Sequence, residues 1–361
     1  MAGLLDGMRV LDFSAWRPLP HGTQILADLG AEVLKVEPPG GDPMRAYPEI
    51  FASVARGKRS VVLDLRTEGG RARALDLAGA ADVVSESWRP GVAERLGVGY
   101  PAIASVNPAV IYCSLTGYGQ AGAMRDVPGH DVNYQALGGA LAPRALDGRD
   151  PEVPRLPVAD LEGGTVCAVL ICAAWARRLQ TGEGERIDVA LADVVAWWVG
   201  PHRGVSQPDA SEPTAGSPGY GVFRTSDDRW IAIGVLSEAR LWSAICEALR
   251  LDDLAELSFA DRLARTREIN TRVAGAVALL DEHTALAHFT TAGAPASPVL
   301  DPEELATHPQ FTERDLFVDT SAGLAAALPA VLTHGGRVPA SEIPAPDAHT
   351  DGFSQRRDRS P

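Results

Sequence analysis

Segments that read as β-strands alternate with segments that read as helices along the first 200 residues of the 361-residue chain. The predicted strands are residues 8–13, 31–36, 60–65, 81–85, 110–115 and 185–191, and the predicted helices include residues 22–29, 69–78 and 163–179. Strands that are spaced by helices favour a parallel sheet with helices on both faces. This alternation therefore predicts an α/β, doubly wound large domain over residues 1–199.

The second half of the chain has a different organisation. Residues 200–221 are dense in Pro, Ser and Gly, which is typical of a linker. The elements predicted after it are a strand at 230–235, a helix at 241–251 and helical stretches near 262–283 and 302–306. We expect a smaller α+β domain over residues 222–305 and a Pro-rich C-terminal segment, with a short strand at 316–318, over residues 306–361.

The composition is that of a soluble globular protein, with 45% apolar and 22% charged residues. A net charge of −14 argues against binding to nucleic acids or anionic membranes, which a basic surface would favour. The four cysteines show no spacing typical of metal ligands and suit a reducing compartment. The N-terminus lacks a signal-peptide pattern, and no apolar run has membrane-spanning length. We expect a cytoplasmic protein that requires no metal ion or redox cofactor.

A histidine and an aspartate, His130 and Asp131, follow Gly129 directly before a predicted helical stretch. A helix N-terminus disfavours an imidazolium, so we expect the ring of His130 to be neutral and to act as a base near neutral pH. A buried structural histidine is the alternative. Asp131 has two open interpretations, since it can cap this helix or orient the ring of His130.

A second carboxylate, Asp160, lies three residues before Gly163 and Gly164, where an apolar helical run begins. The glycines would let a ligand approach the backbone closely, and amide groups at the helix start could stabilise an oxyanion. Asp160 is therefore a candidate proton-transfer group, although an aspartate at this place is equally typical of a helix cap.

Four cations form a candidate site for an anionic ligand. They are Lys58 and Arg59, directly before a predicted strand, and Arg89 and Arg95, after another one. Ligands bind at the carboxyl ends of strands in open α/β sheets, where guanidinium and ammonium groups suit phosphates. Solvated surface charge is the alternative.

Glu238, at a later strand-to-helix junction, is either a candidate active-site acid or a helix cap.

Together these segments resemble the family III CoA-transferase superfamily, and within it the α-methylacyl-CoA racemases. The matching stretches include LADLGAEVLKVEPPGGD (26–42), ADVVSESWRPGVAERLGVGY (81–100), GHDVNYQALGG (129–139) and VADLEGG (158–164). The resemblance implies an interlocked homodimer, in which each subunit has a large Rossmann-like domain, a small domain and a C-terminal segment that returns to the large domain. It also implies an acyl-CoA thioester as the ligand, with Arg89 and Arg95 on its phosphates or adenosine and no further cofactor.

The racemases of this superfamily pair a histidine in a Gly-His-Asp motif with an aspartate, and His130 and Asp160 match these two positions. They also use a glutamate from the small domain, for which Glu238 is the nearest candidate. Transferases use the same aspartate as a nucleophile. We therefore expect an acyl-CoA racemase or epimerase that inverts a 2-substituted acyl-CoA through an enolate. A CoA-transferase that acts through Asp160 and a non-catalytic acyl-CoA-binding protein are the alternatives.

The turn after the first strand departs from the racemase pattern. It reads WRPLP at residues 16–20, where those enzymes carry glycines, and the glycine run after the aspartate is reduced to two. With four methionines in all, the chain also lacks their methionine-rich acyl surface. We therefore expect a short, functionalised acyl group rather than a long branched one. The candidate residues of the substrate pocket are Trp16, Arg17, Tyr134, Gly163 and Gly164. Arg17 has two open interpretations, since it can pair with a carboxylate or another polar group of the acyl chain, or it can point to solvent or brace the dimer.

Overall fold

The computed structural model describes residues 3–141, 151–202, 217–333 and 342–353. The chain divides into two compact units, of which the first contains the described residues within 1–143, 149–201 and 306–361, and the second those within 202–305. Each unit has its own hydrophobic core. Most of the predicted linker, residues 203–216, lies outside the described residues.

A six-stranded parallel sheet forms the centre of the first unit. Its strands are β1 (Arg9–Asp12), β2 (Glu32–Glu37), β3 (Arg59–Val62), β4 (Val83–Glu86), β5 (Ile111–Thr116) and β6 (Glu185–Ala190). They lie in the order β3-β2-β1-β4-β5-β6, and every adjacent pair is parallel. This is the strand order of a Rossmann fold, in which the direction of winding reverses between β1 and β4. The α/β prediction is confirmed at this level.

Helices cover both faces of this sheet. They are α1 (Pro18–Asp28), α2 (Pro48–Ala55), α3 (Glu68–Gly79), α4 (Val92–Arg95), α5 (Tyr100–Val106), α6 (Asp131–Leu137), α7 (Val158–Thr181) and α8 (Leu191–Val199), with 3₁₀ turns at Pro43–Ala46 and Gly200–His202. Successive side chains of β1 point to opposite faces and join different cores. Val10 packs in the core that includes Ile171 of α7, whereas Leu11 packs in the core that includes Leu77 of α3.

The contact between α1 and α7 is so close that only glycine fits there. A Cβ on Gly22 would lie 2.3 Å from the carbonyl oxygen of Gly164, and a Cβ on Gly164 would lie 2.2 Å from the carbonyl oxygen of Pro18. A Cβ on Gly163 would lie 2.2 Å from Cδ2 of Leu191. The interpretation of Gly163 and Gly164 as places where a ligand approaches the backbone is therefore wrong, because other helices fill that space.

Helix α7 is long and apolar enough to cross a membrane by length and composition, which the sequence analysis did not expect. It is the one such helix among the described residues. Within the first unit it packs against α1, α8 and the sheet, and its residues Cys167 and Ile171 are fully buried. Because core helices meet the same criteria of length and composition, we interpret α7 as a core helix.

The second unit contains a three-stranded antiparallel sheet, with the strands β7 (Tyr220–Arg224), β8 (Trp230–Gly234) and β9 (Ala296–Pro298) in this order. Its helices are α9 (Ala239–Leu249), α10 (Phe259–Ala264), α11 (Thr266–Val277) and α12 (Glu282–Ala292), with 3₁₀ turns at Asp252–Leu254 and Pro302–Glu304.

The helical stretch predicted near 262–283 is broken, because the side chain of Asp281 caps α12 by accepting a hydrogen bond from the amide of Thr284 at 2.8 Å. Strand β7 was missed, since only Phe223 of its five residues is buried and the strand shows no clear apolar alternation.

The C-terminal segment belongs to the first unit and contains α13 (Pro309–Thr312) and a hairpin of β10 (Phe317–Thr320) and β11 (Gly323–Ala326). Residues 342–353 then run beside β3, whose outer edge would otherwise present unpaired backbone groups. The amide of His349 donates to the carbonyl oxygen of Ser60 at 2.9 Å, and the amide of Val62 donates to Oδ1 of Asp347 at 2.9 Å. These bonds cover the edge of the sheet.

We expect Gly164→Ala to destabilise the protein by about 1–3 kcal/mol, because the added methyl group collides with backbone atoms of Pro18 and Gly22. The matched control is Gly69→Ala in α3, where an added Cβ meets no atom within 4 Å. That variant should be neutral or more stable by roughly 0.5 kcal/mol. Denaturant unfolding measures both changes. Equal stability of the two variants would contradict the close helix contact.

Candidate active site

A cleft of about 990 Å³ opens in the first unit at the carboxyl ends of the strands. Its walls are the segments that follow β1 to β5, together with the starts of α6 and α7. The reversal of winding between β1 and β4 makes this end of the sheet the expected place for a ligand. The residues predicted from the sequence that line the cleft are Trp16, Arg17, Arg89, His130, Asp131, Tyr134 and Asp160.

The turn between β1 and α1 forms one wall of the cleft. Trp16 adopts a left-handed conformation with φ of +64°, which is unfavourable for a bulky residue and requires support from its surroundings. Three side chains from other segments hold consecutive backbone groups of this turn: Lys35 donates to the carbonyl of Ser14 at 2.7 Å, Ser87 accepts from the amide of Ala15 at 3.3 Å, and Asp42 accepts from the amide of Trp16 at 3.3 Å. The turn is therefore fixed before any ligand arrives.

Lys58 is buried and is not among the residues that line the cleft. Its ammonium donates to Oγ1 of Thr23 at 2.7 Å and to the carbonyl of Pro20 at 3.0 Å, and it lies 3.5 Å from Oδ2 of Asp12. Burial lowers the pKa of Lys58 to about 8, against the attraction of Asp12. The prediction that Lys58 binds a phosphate is wrong, because its donors anchor the first turn of α1.

The other three predicted cations lie in different surroundings. Arg59 does not line the cleft, because its guanidinium donates to the carbonyl of Gly352 and pairs with Asp351, both at 2.9 Å. Its assignment to a phosphate site is also wrong, since it fastens the C-terminal segment to β3. Arg89 is exposed and lines the cleft directly after β4. Arg95 is exposed at the end of α4, outside the set of residues that line the cleft.

Two arginines of the cleft were missed in the sequence analysis. Arg66 follows β3 and pairs through two nitrogens with Asp64, at 2.8 and 2.9 Å, while its side chain is 78% exposed. Arg125 lies in the loop after β5 and donates to the carbonyl of Gln120 at 2.9 Å. The rule that selected Arg89, a cation at the carboxyl end of a strand, would also have selected Arg66.

Asp131 joins the starts of α6 and α7. Its Oδ1 accepts a hydrogen bond from the amide of Asp160 at 3.1 Å, and its Oδ2 accepts one from the side chain of Gln135. Both carboxylate oxygens of Asp131 bond to groups other than the ring of His130, and the interpretation in which Asp131 orients that ring stays a prediction. Asp131 is a capping residue, but the helix that it caps is α7 rather than its own.

The carboxyl group of Asp160 has a protonation equilibrium suited to catalysis near neutral pH. Burial raises the pKa of Asp160 to about 7, the negative charge of Asp131 adds to this effect, and the positive charge of Arg17 opposes it. A carboxyl group with this pKa is present in both protonation states near pH 7. It can therefore act as a base or as an acid.

His130 directly precedes α6, as expected, and its exposed side chain lines the cleft. Its backbone amide donates to Oδ1 of Asn133 at 3.0 Å, which fixes the entry into the helix. Tyr134 braces the same segment, because its hydroxyl donates to the carbonyl of Gly129. Burial raises the pKa of Tyr134 to about 12, and its hydroxyl group is engaged in this bond, so we interpret it as a support of the His130 loop.

The amides at the start of α7 are largely engaged. Those of Val158, Asp160 and Leu161 donate to the carbonyl of Leu156, to Asp131 and to the carbonyl of Pro157. Gly163 is the sixth residue of the helix, beyond its free N-terminal turn. An oxyanion site at Gly163 is therefore excluded.

Glu238 lies in the second unit, where it directly precedes α9 and accepts a hydrogen bond from the amide of Leu236 at 2.9 Å. Its part in the active site stays a prediction. The described residues contain no group of three or more His, Cys, Asp or Glu side chains arranged to hold a metal ion.

The family model of CoA-transferase family III matches residues 5–350. The chain belongs to CoA-transferase family III. It is 32% identical to an acetyl-CoA:oxalate CoA-transferase of Acetobacter aceti, over 88% of this chain and 86% of that protein. It is also 32% identical to the α-methylacyl-CoA racemase of Homo sapiens, over 91% of this chain and 86% of that protein.

Among solved structures, a CAIB/BAIF family protein from Brucella suis matches with a TM-score of 0.86 and 27% identity, over 97% of this chain and 98% of that one. The resemblance found in the sequence is thus confirmed. Because the relatives include transferases and racemases at similar identity, the class of reaction has to be argued from the residues of this site.

We expect Asp160→Asn to stabilise the protein at pH 8 and to leave its stability nearly unchanged at pH 4. The carboxyl group titrates near 3.8 in the unfolded chain and at about 7 in the folded one, so the unfolded state loses its proton first as the pH rises. The free energy of unfolding of the wild type therefore decreases as the pH rises between these values. That of the variant does not, because asparagine does not titrate. The difference should be on the order of 3 kcal/mol at pH 8.

Urea unfolding of both proteins at several pH values from 4 to 8 measures this difference. Asp126→Asn, which removes an exposed carboxylate beside Arg125, is the control for a simple loss of charge. A difference between wild type and Asp160→Asn that does not grow with pH would contradict the burial of this carboxyl group.

Proposed function

We propose that this protein is an acyl-CoA racemase or epimerase, which inverts the α-carbon of a 2-substituted acyl-CoA by a 1,1-proton transfer. One observation carries the proposal: His130 and Asp160 line the same cleft from the starts of two helices that the Asp131–Asp160 hydrogen bond holds together. Two proton-transfer groups in a shared cleft are what an inversion through a planar intermediate requires.

In this mechanism the α-carbon of the thioester lies between His130 and Asp160. One of these groups removes the α-proton, the electron pair passes to the thioester oxygen, and the other group delivers a proton to the opposite face. The pKa of Asp160, at about 7, suits both directions, because the carboxyl can donate or accept near neutral pH.

The CoA part of the substrate is proposed to bind along the arginines at the strand ends. Arg89 and Arg66 line the cleft after β4 and β3, and guanidinium groups of this kind suit phosphates. Arg95 stays a predicted contact farther along the same surface. The thioester would then lie beside Asp160.

A CoA-transferase is the second candidate, and the acetyl-CoA:oxalate CoA-transferase relative favours it. The carboxylate of Asp160 would attack the thioester carbon, and the C–S bond would break. CoA would leave as a thiolate, and a mixed anhydride of Asp160 and the acyl group would remain. The thiolate would then attack the Asp160 carbonyl and release the first acid. An acceptor acid would complete the exchange by the reverse steps. A catalytically silent acyl-CoA-binding protein is the third candidate.

We expect the wild type to exchange the α-proton and invert the α-carbon of at least one of two short 2-methylacyl-CoAs, one with and one without a terminal carboxylate, in D₂O without any acceptor acid. His130→Ala and Asp160→Ala should each slow inversion by at least about 10², the usual contribution of an acid–base group. Each variant should still exchange deuterium into one enantiomer, and the two variants should differ in which one, because each retains the base for one face. Proton NMR and chiral analysis of the product measure both rates.

The control is His308→Ala, which changes another histidine directly before a helix of the same unit and should leave both rates unchanged. Exchange that persists in the double variant would refute the two-base mechanism. Transfer of CoA only when an acid is added would identify the transferase, and binding of the thioester with neither reaction would identify a silent binder.

We also propose that the protein is a homodimer. Large apolar side chains are exposed on two helices of the first unit in the described part of the chain: Val169, Leu170 and Leu179 on α7, and Trp197 and Trp198 on α8. Exposed apolar side chains in such number favour an interface. A second copy of this chain, as the resemblance implies, would cover them.

Sedimentation velocity should show twice the mass of one chain for the wild type and the mass of one chain for the double variant Leu179→Glu/Trp197→Glu. Both side chains are about 70% exposed, at 68% and 71%, so a charge there does not disturb the folded subunit. Leu279→Glu changes an equally exposed leucine, at 82%, and should remain a dimer. A monomeric wild type would refute the proposal.

A further inference from the structure

Arg17 is a half-buried cation in the wall of the cleft, whereas Arg89 in the same cleft is exposed to solvent. Arg66 pairs with Asp64, and Arg125 pairs with Asp126. Among the described residues, no side-chain hydrogen bond or ion pair engages the guanidinium of Arg17. A cation that is partly removed from water without a partner is costly, so it indicates a place for an anion that the ligand brings.

The anion has to come from the acyl end of the ligand. Arg17 and Asp160 line the same cleft, and the tight contact of Gly164, one turn after Asp160, with the carbonyl of Pro18 brings their two segments together. Asp160 does not neutralise Arg17 fully, because burial keeps that carboxyl protonated in part near neutral pH. In the proposed function the thioester lies at Asp160, and the pantetheine arm separates it from the phosphates of CoA. The phosphates are therefore poorly placed to reach Arg17.

Hydrogen bonds from neighbouring segments fix the backbone around Arg17 before a ligand binds. The preceding residue, Trp16, keeps its left-handed conformation through the contacts of Asp42, and the following residue, Pro18, is the first residue of α1. Lys35, which bonds the same turn, also forms a buried ion pair with Asp42 at 2.7 Å. A guanidinium on a fixed backbone loses less conformational freedom on binding and recognises a planar carboxylate with two parallel bonds.

We propose that Arg17 binds a carboxylate at the far end of the acyl group, so that the substrate is the mono-thioester of a dicarboxylic acid. This inference rests on the proposed function, in which the acyl group lies at Asp160. It adds a determinant of specificity that the proton transfer itself does not require.

Binding calorimetry with two thioesters of equal chain length tests the proposal without turnover. Succinyl-CoA ends in a carboxylate, and butyryl-CoA has a methyl group in its place. The wild type should bind succinyl-CoA roughly 10- to 100-fold more tightly, as expected for a charge-assisted hydrogen bond. Arg17→Met should remove this preference and leave the affinity for free CoA unchanged, and Arg17→Lys should keep part of it.

The matched control is Arg89→Ala. It should weaken the binding of both thioesters by the same factor, because both carry the same CoA. Equal affinity of the wild type for the two thioesters, or a preference that survives Arg17→Met, overturns the proposal. A loss of free CoA affinity in Arg17→Met also overturns it, because Arg17 would then bind the phosphates. Deuterium exchange, measured separately, decides the proposed function, so each idea can fail while the other stands.

Discussion

The close approach of α1 and α7 is the constraint on which the candidate site depends. The backbones meet at Gly22 and Gly164, and the carbonyl of Pro18 fills the space that a side chain on Gly164 would need. Asp160 lies one turn before Gly164, and Arg17 directly precedes α1. The same contact therefore sets where the carboxyl group of Asp160 lies relative to the turn that carries Arg17. A larger residue at either glycine would change the packing of the fold and the geometry of the site together.

Buried charge supports this arrangement from within the sheet. Burial alone would raise the pKa of Asp12, but the charges of Lys58 and Lys35 and the hydroxyl groups of Ser14 and Thr23 hold it below its ordinary value. Breaking such a buried network by removing one partner leaves the other charge unpaired, which is strongly destabilising. The network thus fixes the end of β1 and the start of α1. It belongs to the structure of the cleft wall, to which Ser14 and Lys35 also contribute.

The sequence predicted the sheet and the placement of His130 and Asp160, because strand periodicity and the spacing of motifs are local signals. The sequence could not distinguish a cation that lines the cleft from one that bonds to other residues of the protein. Lys58 and Arg59 carry the same charge as Arg89, and only the tertiary contacts with Thr23 and Asp351 turn them away from the cleft. The same holds for Asp131, whose partner is the amide of a residue 29 positions away. Long-range contacts of this kind leave no pattern in a single sequence.

The position of Arg17 links the choice of substrate to the choice of reaction. Its positive charge is what opposes the effects of burial and of Asp131 on the pKa of Asp160. A ligand carboxylate bound to Arg17 would neutralise that charge, and the pKa of Asp160 would rise further in the complex. A larger protonated fraction of Asp160 leaves fewer carboxylates to attack a thioester and more carboxyl groups that carry a proton to deliver. A dicarboxylic acyl group would therefore favour proton transfer to an enolate over attack of Asp160 on the thioester, so the specificity and the chemistry proposed for this cleft support each other.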